Sequence, residues 1–260
     1  MKNIRLIARL DVKMNWLIKG IQMEGWRKVG DPAAFAGEYA CSGADELLFM
    51  DVVASLYERN NLHHIVEKVA RKVFIPMTVG GGIRSVEDVT ALFRIGADKV
   101  ALNTAATQNP ELITRISESF GSQATVVSID AIQNEHGGWI AMTDNGRNHT
   151  GRDVIEWAQE AESYGAGEII ITSIGVEGMG NGYDIDLARQ VSKKVSIPVV
   201  ACGGLGALDH LVALLDETQI SGAACAQALH WRKLSLADLR ETLSEKGCYI
   251  RSLGINASVQ

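Results

Sequence analysis

The sequence predicts an α/β fold, a (β/α)8 or TIM barrel built from two similar half-barrels. Apolar strand-like runs alternate with helical patterns, and the first half of the chain is echoed in the second. Residues 75–82 read Ile-Pro-Met-Thr-Val-Gly-Gly-Gly, and residues 197–204, 122 positions further on (197 − 75), read Ile-Pro-Val-Val-Ala-Cys-Gly-Gly. Residues 43–51 and 165–173 match at the same spacing. An open doubly wound sheet is the alternative, but it gives no reason for matching halves.

The composition is that of one globular domain. The chain has 260 residues, of which 47% are hydrophobic and 22% charged, and about 250 residues are usual for such a barrel. We expect a single domain over residues 1–260, with half-barrels at about 1–122 and 123–250. The net charge of −6 argues against nucleic-acid binding.

The location of the protein is predicted from what the sequence lacks. No apolar run approaches the roughly 20 residues of a membrane span, and the first residues do not resemble a signal segment. We therefore expect a cytoplasmic protein that does not bind membranes. The four cysteines, Cys41, Cys202, Cys225 and Cys248, show no paired spacing, and we expect buried free thiols.

The first half-barrel opens with a strand at residues 4–11, in which Arg5 and Arg9 interrupt the apolar pattern. Residues 12–30 then form a long connection, either a lid over the site or a variable surface loop. The further elements expected in this half are a helix from Asp31-Pro32 to Ser42 that Gly43 ends, a strand at 46–51, a helix at 60–72, a strand ending in Gly80-Gly81-Gly82, a helix at 86–95 capped by Ser85 with Asp88, a strand at 98–104 and a helix starting at Asn109-Pro110-Glu111.

The second half-barrel follows the same plan. Its expected elements are a strand at 124–130 closed by Asp130, a hairpin-like insert at 138–143 with a turn at 144–146, a helix capped by Thr150, a strand at 169–173, a glycine-rich loop at 175–182, a helix at 184–194, strands at 197–202 and 221–226, a connection at 227–231 and a last helix capped by Ser235 with Asp238. His63 and His64 point in different directions on their helix, so we expect no metal site, and no cofactor motif is present.

The chemistry of such a barrel belongs at the carboxyl ends of its strands. The residues predicted to lie there are Asp11, Asp51, Gly82, Asn103, Asp130, Ser173, Gly203 and Gln227. Asp11 and Asp130 end strands one and five, which face each other across a barrel. A lone aspartate there would be interpreted as a strand-end cap, but a matched pair favours acid and base catalysis on two sides of a substrate.

Two anion sites are also predicted, one in each half. Exposed backbone N–H groups at glycines before a helix form a concave site for phosphate. Gly81 and Gly82 with Asn103 and Thr104 would form the first site. The repeat places Gly203 and Gly204 with Ala226 and Gln227 in the equivalent position. A bis-phosphorylated small molecule would then span the mouth.

At this level of detail the chain resembles the cyclase subunit family of imidazole glycerol phosphate synthase, from Arg5 to about Arg251. The motifs that support the resemblance are Leu10-Asp11-Val12-Lys13 with Lys19-Gly20, Gly30-Asp31-Pro32, Asp45-Glu46-Leu47, Thr78-Val79-Gly80-Gly81-Gly82-Ile83, Gly96-Ala97-Asp98-Lys99-Val100, Asn103-Thr104-Ala105-Ala106, Phe120-Gly121-Ser122-Gln123-Ala124 and Gly182-Tyr183-Asp184. The resemblance implies that ammonia reacts with a phosphoribulosyl formimino-aminoimidazole carboxamide ribonucleotide. The products are imidazole glycerol phosphate and aminoimidazole carboxamide ribonucleotide.

The resemblance also implies residue roles and a partner. Asp11 and Asp130 match the acid/base pair, and we assign Lys19 and Thr172 to substrate binding with the two glycine sites. In the family a glutaminase subunit docks on the opposite barrel face as a heterodimer, and its ammonia travels through the barrel. The residues matching the charged gate at that entrance are Arg5, Glu46, Lys99 and Glu168. Asp98 matches a residue that supports activation of the glutaminase.

Several positions depart from the family pattern. The loop that usually reads Asp-Arg-Asp-Gly-Thr is Gly175-Val176-Glu177-Gly178-Met179 here, and the first acid is lost. Cys202 and Gln227 stand where serine is common, and Arg9 and Trp16 are unusual. These changes leave open a paralogue that feeds ammonia to surface-sugar amidination, and a non-catalytic ammonia conduit that activates a glutaminase. A related barrel isomerase that acts alone also uses two acids, but the Asp98-Lys99 segment and Lys19 favour the cyclase.

Overall fold

The computed structural model describes residues 2–54 and 62–253 and contains a closed parallel barrel. Its strands, with two hairpins included, are Arg5–Lys13 (β1), Trp16–Ile21 (β2), Glu24–Gly30 (β3), Glu46–Asp51 (β4), Met77–Gly80 (β5), Lys99–Leu102 (β6), Thr125–Gln133 (β7), Trp139–Thr143 (β8), Asn148–Asp153 (β9), Glu168–Ser173 (β10), Val199–Cys202 (β11) and Gly222–Cys225 (β12). Strands β1, β4, β5, β6, β7, β10, β11 and β12 pair in parallel in that order, and β12 returns to β1. The predicted (β/α)8 barrel is confirmed.

The helices lie outside the barrel, in the connections between strands. Their bounds are Pro32–Ser42 (α1), His63–Ala70 (α2), Val86–Arg94 (α3), Thr104–Gln108 (α4), Glu111–Phe120 (α5), Val154–Ser163 (α6), Ile185–Lys194 (α7), Leu208–Glu217 (α8), Gln227–His230 (α9) and Leu236–Glu245 (α10). Outward-facing strand residues such as Leu6, Leu10 and Phe49 are fully buried among them in one large apolar core. The predicted start of α2, at residues 60 and 61, lies outside the described residues.

Most helix ends follow the predicted capping chemistry. The Asp31 carboxylate accepts a hydrogen bond from the backbone N–H of Ala33 (3.1 Å) at the start of α1. Ser85 and Asp88 form a reciprocal capping box at α3, because each side chain accepts from the other residue's backbone N–H (3.2 and 3.1 Å). Ser235 and its partner form the same motif at α10.

Two predicted caps are wrong. Thr150 lies within β9, where its hydroxyl donates to the carbonyl of Ala141 (2.6 Å), and Asp153 caps α6 instead through the N–H groups of Ile155 and Glu156. The Asn109 side chain makes no capping bond, because the N-cap position of α5 is the next residue, Pro110.

The connection at residues 12–30 is not a loop. It is the antiparallel hairpin of β2 and β3, with β1 pairing to β2 through Val12 and Lys13. Its turn residues Gln22 and Met23 have φ of 51° and 62°, a conformation for which glycine or asparagine is the usual signal. The second half has the equivalent hairpin, β8 and β9, directly after its own first strand β7. Each half therefore opens with a strand that continues into a hairpin.

The barrel interior is layered along its axis. One apolar layer fills the middle, and its buried members are Ile7, Leu48, Ala101, Val126, Ile170, Val200, Cys202 and Ala224. Charged side chains lie on both sides of this layer, at the end where the parallel strands begin and at the end where they finish. We call the latter end the barrel mouth. The charged side chains of the mouth are therefore separated from those of the opposite end by an apolar layer.

The prediction that the cysteines are buried is correct for two of the four. Cys202 and Cys225 are buried, whereas Cys41 is exposed and Cys248 is half-buried; all four are free thiols. His63 is partly buried and His64 is exposed on α2. Across residues 2–54 and 62–253, no group of histidine, cysteine and acidic side chains is placed to hold a metal ion.

Candidate active site at the barrel mouth

Asp11 and Asp130 both point into the mouth from opposite sides of the barrel. Asp11 is on β1 and Asp130 on β7, four strands apart in the closed order, and they are 7% and 6% exposed. Neither aspartate ends its strand as predicted, since β1 continues to Lys13 and β7 to Gln133, where Asp130 pairs with Met142 of β8. The hairpin thus fixes the backbone of this aspartate on a rigid sheet.

The Asp11 carboxylate is surrounded by cations. Arg9 Nε lies 2.8 Å from Asp11 Oδ1, and Lys19 Nζ, on the neighbouring hairpin, lies 3.4 Å from Asp11 Oδ2. Burial would raise the pKa of this carboxyl, but the charges of Arg9 and Lys19 outweigh it and lower the pKa to about 2. Asp11 is therefore ionised throughout the physiological range.

Asp130 has the opposite environment. Its strongest influence is burial, and the neighbouring charges of Asp11 and Glu177 add to it, so its pKa rises to about 6 despite Arg9 and a hydrogen bond from Asn103. Asn103 Nδ2 donates to Asp130 Oδ2 at 2.9 Å. Two carboxyl groups with separated pKa values are the arrangement by which one site supplies both a base and an acid.

The first predicted anion site borders an open cavity of about 510 Å³. Gly81, Gly82, Asn103, Thr104 and Asp130 all line it. Gly81 has φ of 101°, and a Cβ there would overlap the carbonyl of the strand-end residue of β4, so the close backbone path requires glycine. The structure brings the four predicted residues of this half together beside one of the two aspartates.

The equivalent site of the second half is closed. Gly203, Gly204, Ala226 and Gln227 are together, but the cavity they line is only about 10 Å³. Glu177, which is 3% exposed, also lines it. Within the described residues, the Gln227 Oε1 and Glu177 Oε2 atoms are buried without a hydrogen-bond partner.

The loop at residues 174–184, which we call loop 6, is held down by the first hairpin. The backbone N–H of Gln22 donates to the Glu177 carbonyl (2.8 Å), and Gln22 Nε2 donates to the Gly175 carbonyl (3.0 Å). Lys19 on the same hairpin forms an ion pair with the Glu177 carboxylate. The mouth is therefore open at the site of the first half-barrel and covered by loop 6 at the site of the second.

Arg9 makes contacts in the barrel that the sequence did not reveal. Arg9 is 3% exposed, and its Nη1 reaches Thr172 Oγ1 (2.9 Å) and Cys202 Sγ (3.3 Å). The Thr172 hydroxyl, predicted to bind substrate, therefore accepts a bond from Arg9 below the mouth. In the sequence, the only sign of these contacts was the break in the apolar pattern of the first strand at Arg9, because Thr172 and Cys202 lie far away in the chain.

The four predicted gate residues form a connected ring at the opposite end of the barrel. Arg5 bridges Glu46 (2.7 Å) and Glu168 (2.8 Å), and Lys99 pairs with both of the same glutamates. We call these residues the charged ring. Asp98, the predicted partner-signalling residue, is exposed beside it, where its carboxylate accepts from the N–H of Met77 (2.8 Å).

A closed parallel barrel with two buried carboxyl groups of widely separated pKa at its strand-end mouth is the architecture of an α/β-barrel enzyme. Within that class the chain belongs to the histidine biosynthesis protein family, whose model matches residues 5–235. It is 59% identical over 210 residues to imidazole glycerol phosphate synthase subunit HisF of Legionella pneumophila, covering 81% of this chain and 99% of that protein. It is 44% identical over 251 residues to the proteins of that name from two Dehalococcoides mccartyi strains, covering 96% of this chain and 99% of each. Among the described helices, none combines the length and apolarity needed to cross a bilayer.

Proposed function

We propose that this chain is the cyclase subunit of an imidazole glycerol phosphate synthase and acts in histidine biosynthesis. The supporting observation is its likeness to proteins of that name over 99% of their length. The paralogue for sugar amidination and the non-catalytic conduit are not favoured by these likenesses. The geometry of the mouth supports the proposal, because Asp11 and Asp130 are buried there with separated pKa values, which suits acid and base catalysis and has no purpose in a conduit.

The two aspartates divide the proton transfers of the reaction. Ammonia that attacks the substrate becomes positively charged and must lose a proton, and ionised Asp11 is the base available on β1. Breaking the bond to the departing aminoimidazole requires a proton, and Asp130, with its pKa near 6, is the group that can hold one. Both carboxyls are buried, so bulk water competes little for either proton.

The substrate's two phosphates would occupy the two glycine sites. The open cavity beside Gly81 and Asn103 accepts the first phosphate without rearrangement. The second site, beside Gly203, requires loop 6 and the Glu177 side chain to move outward. Displacing Glu177 releases Lys19, whose ammonium group then pairs with the incoming anion.

A glutaminase subunit supplies the ammonia. The charged ring marks the barrel end where that subunit docks as a heterodimer, and Asp98 lies at its edge. Beyond the ring, the proposed route crosses the apolar layer around Ile7 and Val126, an environment that favours neutral ammonia over the ammonium ion. Passage through it keeps ammonia away from water, where protonation would remove its nucleophilic lone pair.

The test is turnover of the phosphoribulosyl substrate by the purified chain with concentrated ammonium salt at alkaline pH. Cyclisation that is lost in Asp11→Asn, while an exposed control such as Lys193→Ala retains it, supports the proposal. A well-folded chain without turnover overturns it. Rescue of a histidine auxotroph lacking its own cyclase is the matching test in cells.

A further inference from the structure

Arg9 is the most deeply placed charge of the mouth, and no step of the proposed reaction uses it. It points into the barrel from β1, two residues beyond Ile7 of the apolar layer and two before Asp11. It is 3% exposed and lines the open cavity of the first half as well as the small cavity beside Lys19. A permanent cation thus lies between the two halves of the mouth.

The contacts of Arg9 connect the catalytic strand to the opposite half. Its Nε donates to Asp11 at 2.8 Å, and its Nη1 donates to Thr172 of β10 at 2.9 Å and to Cys202 of β11 at 3.3 Å. These partners hold the planar guanidinium in one orientation, with one edge against Asp11. The side chain therefore has little freedom to follow a substrate or to leave its carboxylate partner.

We propose that Arg9 is a positioning residue that keeps Asp11 as an oriented carboxylate and so separates the protonation states of the two aspartates. The catalytic part of this inference rests on the proposed function. The first reason is that Lys19, the other cation near Asp11, is shared with Glu177 and is at 3.4 Å from Asp11. The second is that a guanidinium does not lose its proton in proteins, whereas a buried ammonium can.

Asp11 meets charged or titratable groups from several elements. They are Arg9 on β1, Lys19 on β2, Asp130 on β7, Glu177 on loop 6, Cys202 on β11 and His230 on α9. Without Arg9, Asp11 would share the mouth with the carboxyl groups of Asp130 and Glu177 and would keep Lys19 as its cationic neighbour, at 3.4 Å. Under that condition Asp11 would take up a proton at a higher pH, and its carboxylate would lose the partner that fixes its orientation.

The direct measurement is a carboxyl-carbon NMR titration of the substrate-free chain with labelled aspartate, assigned with Asp11→Asn and Asp130→Asn. In the unchanged chain the Asp11 signal stays in its ionised position at pH 4. In Arg9→Gln the Asp11 midpoint should rise by about 1 to 3 pH units. Arg9→Lys keeps a cation and should hold Asp11 ionised at pH 4. Arg240→Gln removes another buried arginine, which contacts Gly43 and Asp45 away from the mouth, and is the matched control.

The kinetic measurement is ammonia-dependent turnover of the same variants. Arg9→Gln should lower kcat by about 100-fold with a smaller change in KM, because the Asp11 carboxylate, although still ionised at the alkaline pH of the assay, is no longer held in one orientation. Arg9→Lys should recover most of the loss, whereas a structural brace would be lost equally in both variants. An unshifted Asp11 titration in Arg9→Gln, or equal losses in the two variants, overturns the proposal. If Arg9→Gln does not fold, protonation of Asp11 at pH 4 in a folded Arg9→Lys chain overturns it as well.

The two proposals can fail separately. Absence of turnover by the unchanged chain would count against the cyclase function. The carboxyl titration needs no substrate and would still decide whether Arg9 controls the ionisation of Asp11.

Discussion

Asn103, directly after β6, donates a hydrogen bond from its Nδ2 to Asp130 Oδ2 of the neighbouring strand β7 at 2.9 Å. Asn103 also lines the open cavity proposed to hold a phosphate. One residue therefore orients the proposed acid and borders the substrate. The Asn103 amide can also donate to the side-chain carbonyl of an asparagine. Asp130→Asn would therefore remove the charge of Asp130 and keep this hydrogen bond.

Asp130→Asn should lower ammonia-dependent turnover by about 10²- to 10⁴-fold while leaving the chain folded. Burial raises the folded pKa of Asp130 to about 6, so the native state binds this proton more strongly than the unfolded chain does. Its contribution to stability is present at low pH and is lost as pH rises from about 4 to 6. Relative to the unchanged chain, the variant should gain about 1–3 kcal/mol between pH 4 and pH 7.

Thermal unfolding of both chains at the two pH values measures this gain. A variant that is less stable at pH 7 than the unchanged chain, by the margin of a core substitution, would show that Asp130 serves the fold and not the reaction.

Lys99→Ala should impair glutamine-dependent turnover, measured with the glutaminase partner, more than turnover with added ammonium salt. Lys99 pairs with both Glu46 and Glu168, and its loss leaves two buried glutamates with Arg5 alone at the proposed ammonia entrance. Ammonia from solution can reach the mouth directly and does not need the ring. Lys193→Ala, an exposed lysine on α7, is the control. Equal losses with the two nitrogen sources would contradict the gate assignment.

Gly204→Ala should destabilise the protein by about 2 kcal/mol or more, a size associated with backbone strain. Gly204 has φ of 101°, and its backbone carbonyl accepts from Gly182 N (2.8 Å), so a Cβ would overlap the Gly182 carbonyl. Gly175→Ala, also in the mouth, has no atom within 4 Å of the added Cβ and should change stability little. Denaturant unfolding compares the two variants, and similar losses would show that the contact between the loops is not tight.

His230 should make the protein less stable in mild acid. Burial lowers its folded pKa from the usual 6.5 to about 4, partly opposed by Asp11, and its Nδ1 lies 2.7 Å from the Tyr39 hydroxyl. The unfolded chain therefore binds this proton first, and stability falls as pH drops from about 6.5 to 4. The loss should be about 1–3 kcal/mol.

Asp130 titrates in an overlapping window with the opposite sign, so this comparison belongs in the Asp130→Asn chain. Unfolding there should depend on pH between 4 and 6.5, and adding His230→Gln should flatten the dependence. An unchanged slope would assign the acid lability to another group.

The alternation of apolar runs and caps was enough to predict the barrel. Asp31, Ser85 and Ser235 cap their helices as predicted, because a cap acts on backbone groups two or three residues away. The hairpin at β2 and β3 was missed, since Gln22 and Met23 are not turn-type residues and their backbone conformation is stabilised by the surrounding packing. The placement of Asp11 and Asp130 in one mouth followed from the fold, because parallel strands all leave a barrel at the same end.

The sequence by itself determined the fold class, the two inward-facing aspartates and the glycines at the strand ends. The tertiary structure alone decided which aspartate is ionised, which half of the mouth is open, and what Arg9 contacts. The physical reason is distance along the chain. Fold and caps depend on local patterns, whereas a buried carboxyl takes its pKa from charges such as Lys19 and Glu177, which meet only when the barrel closes.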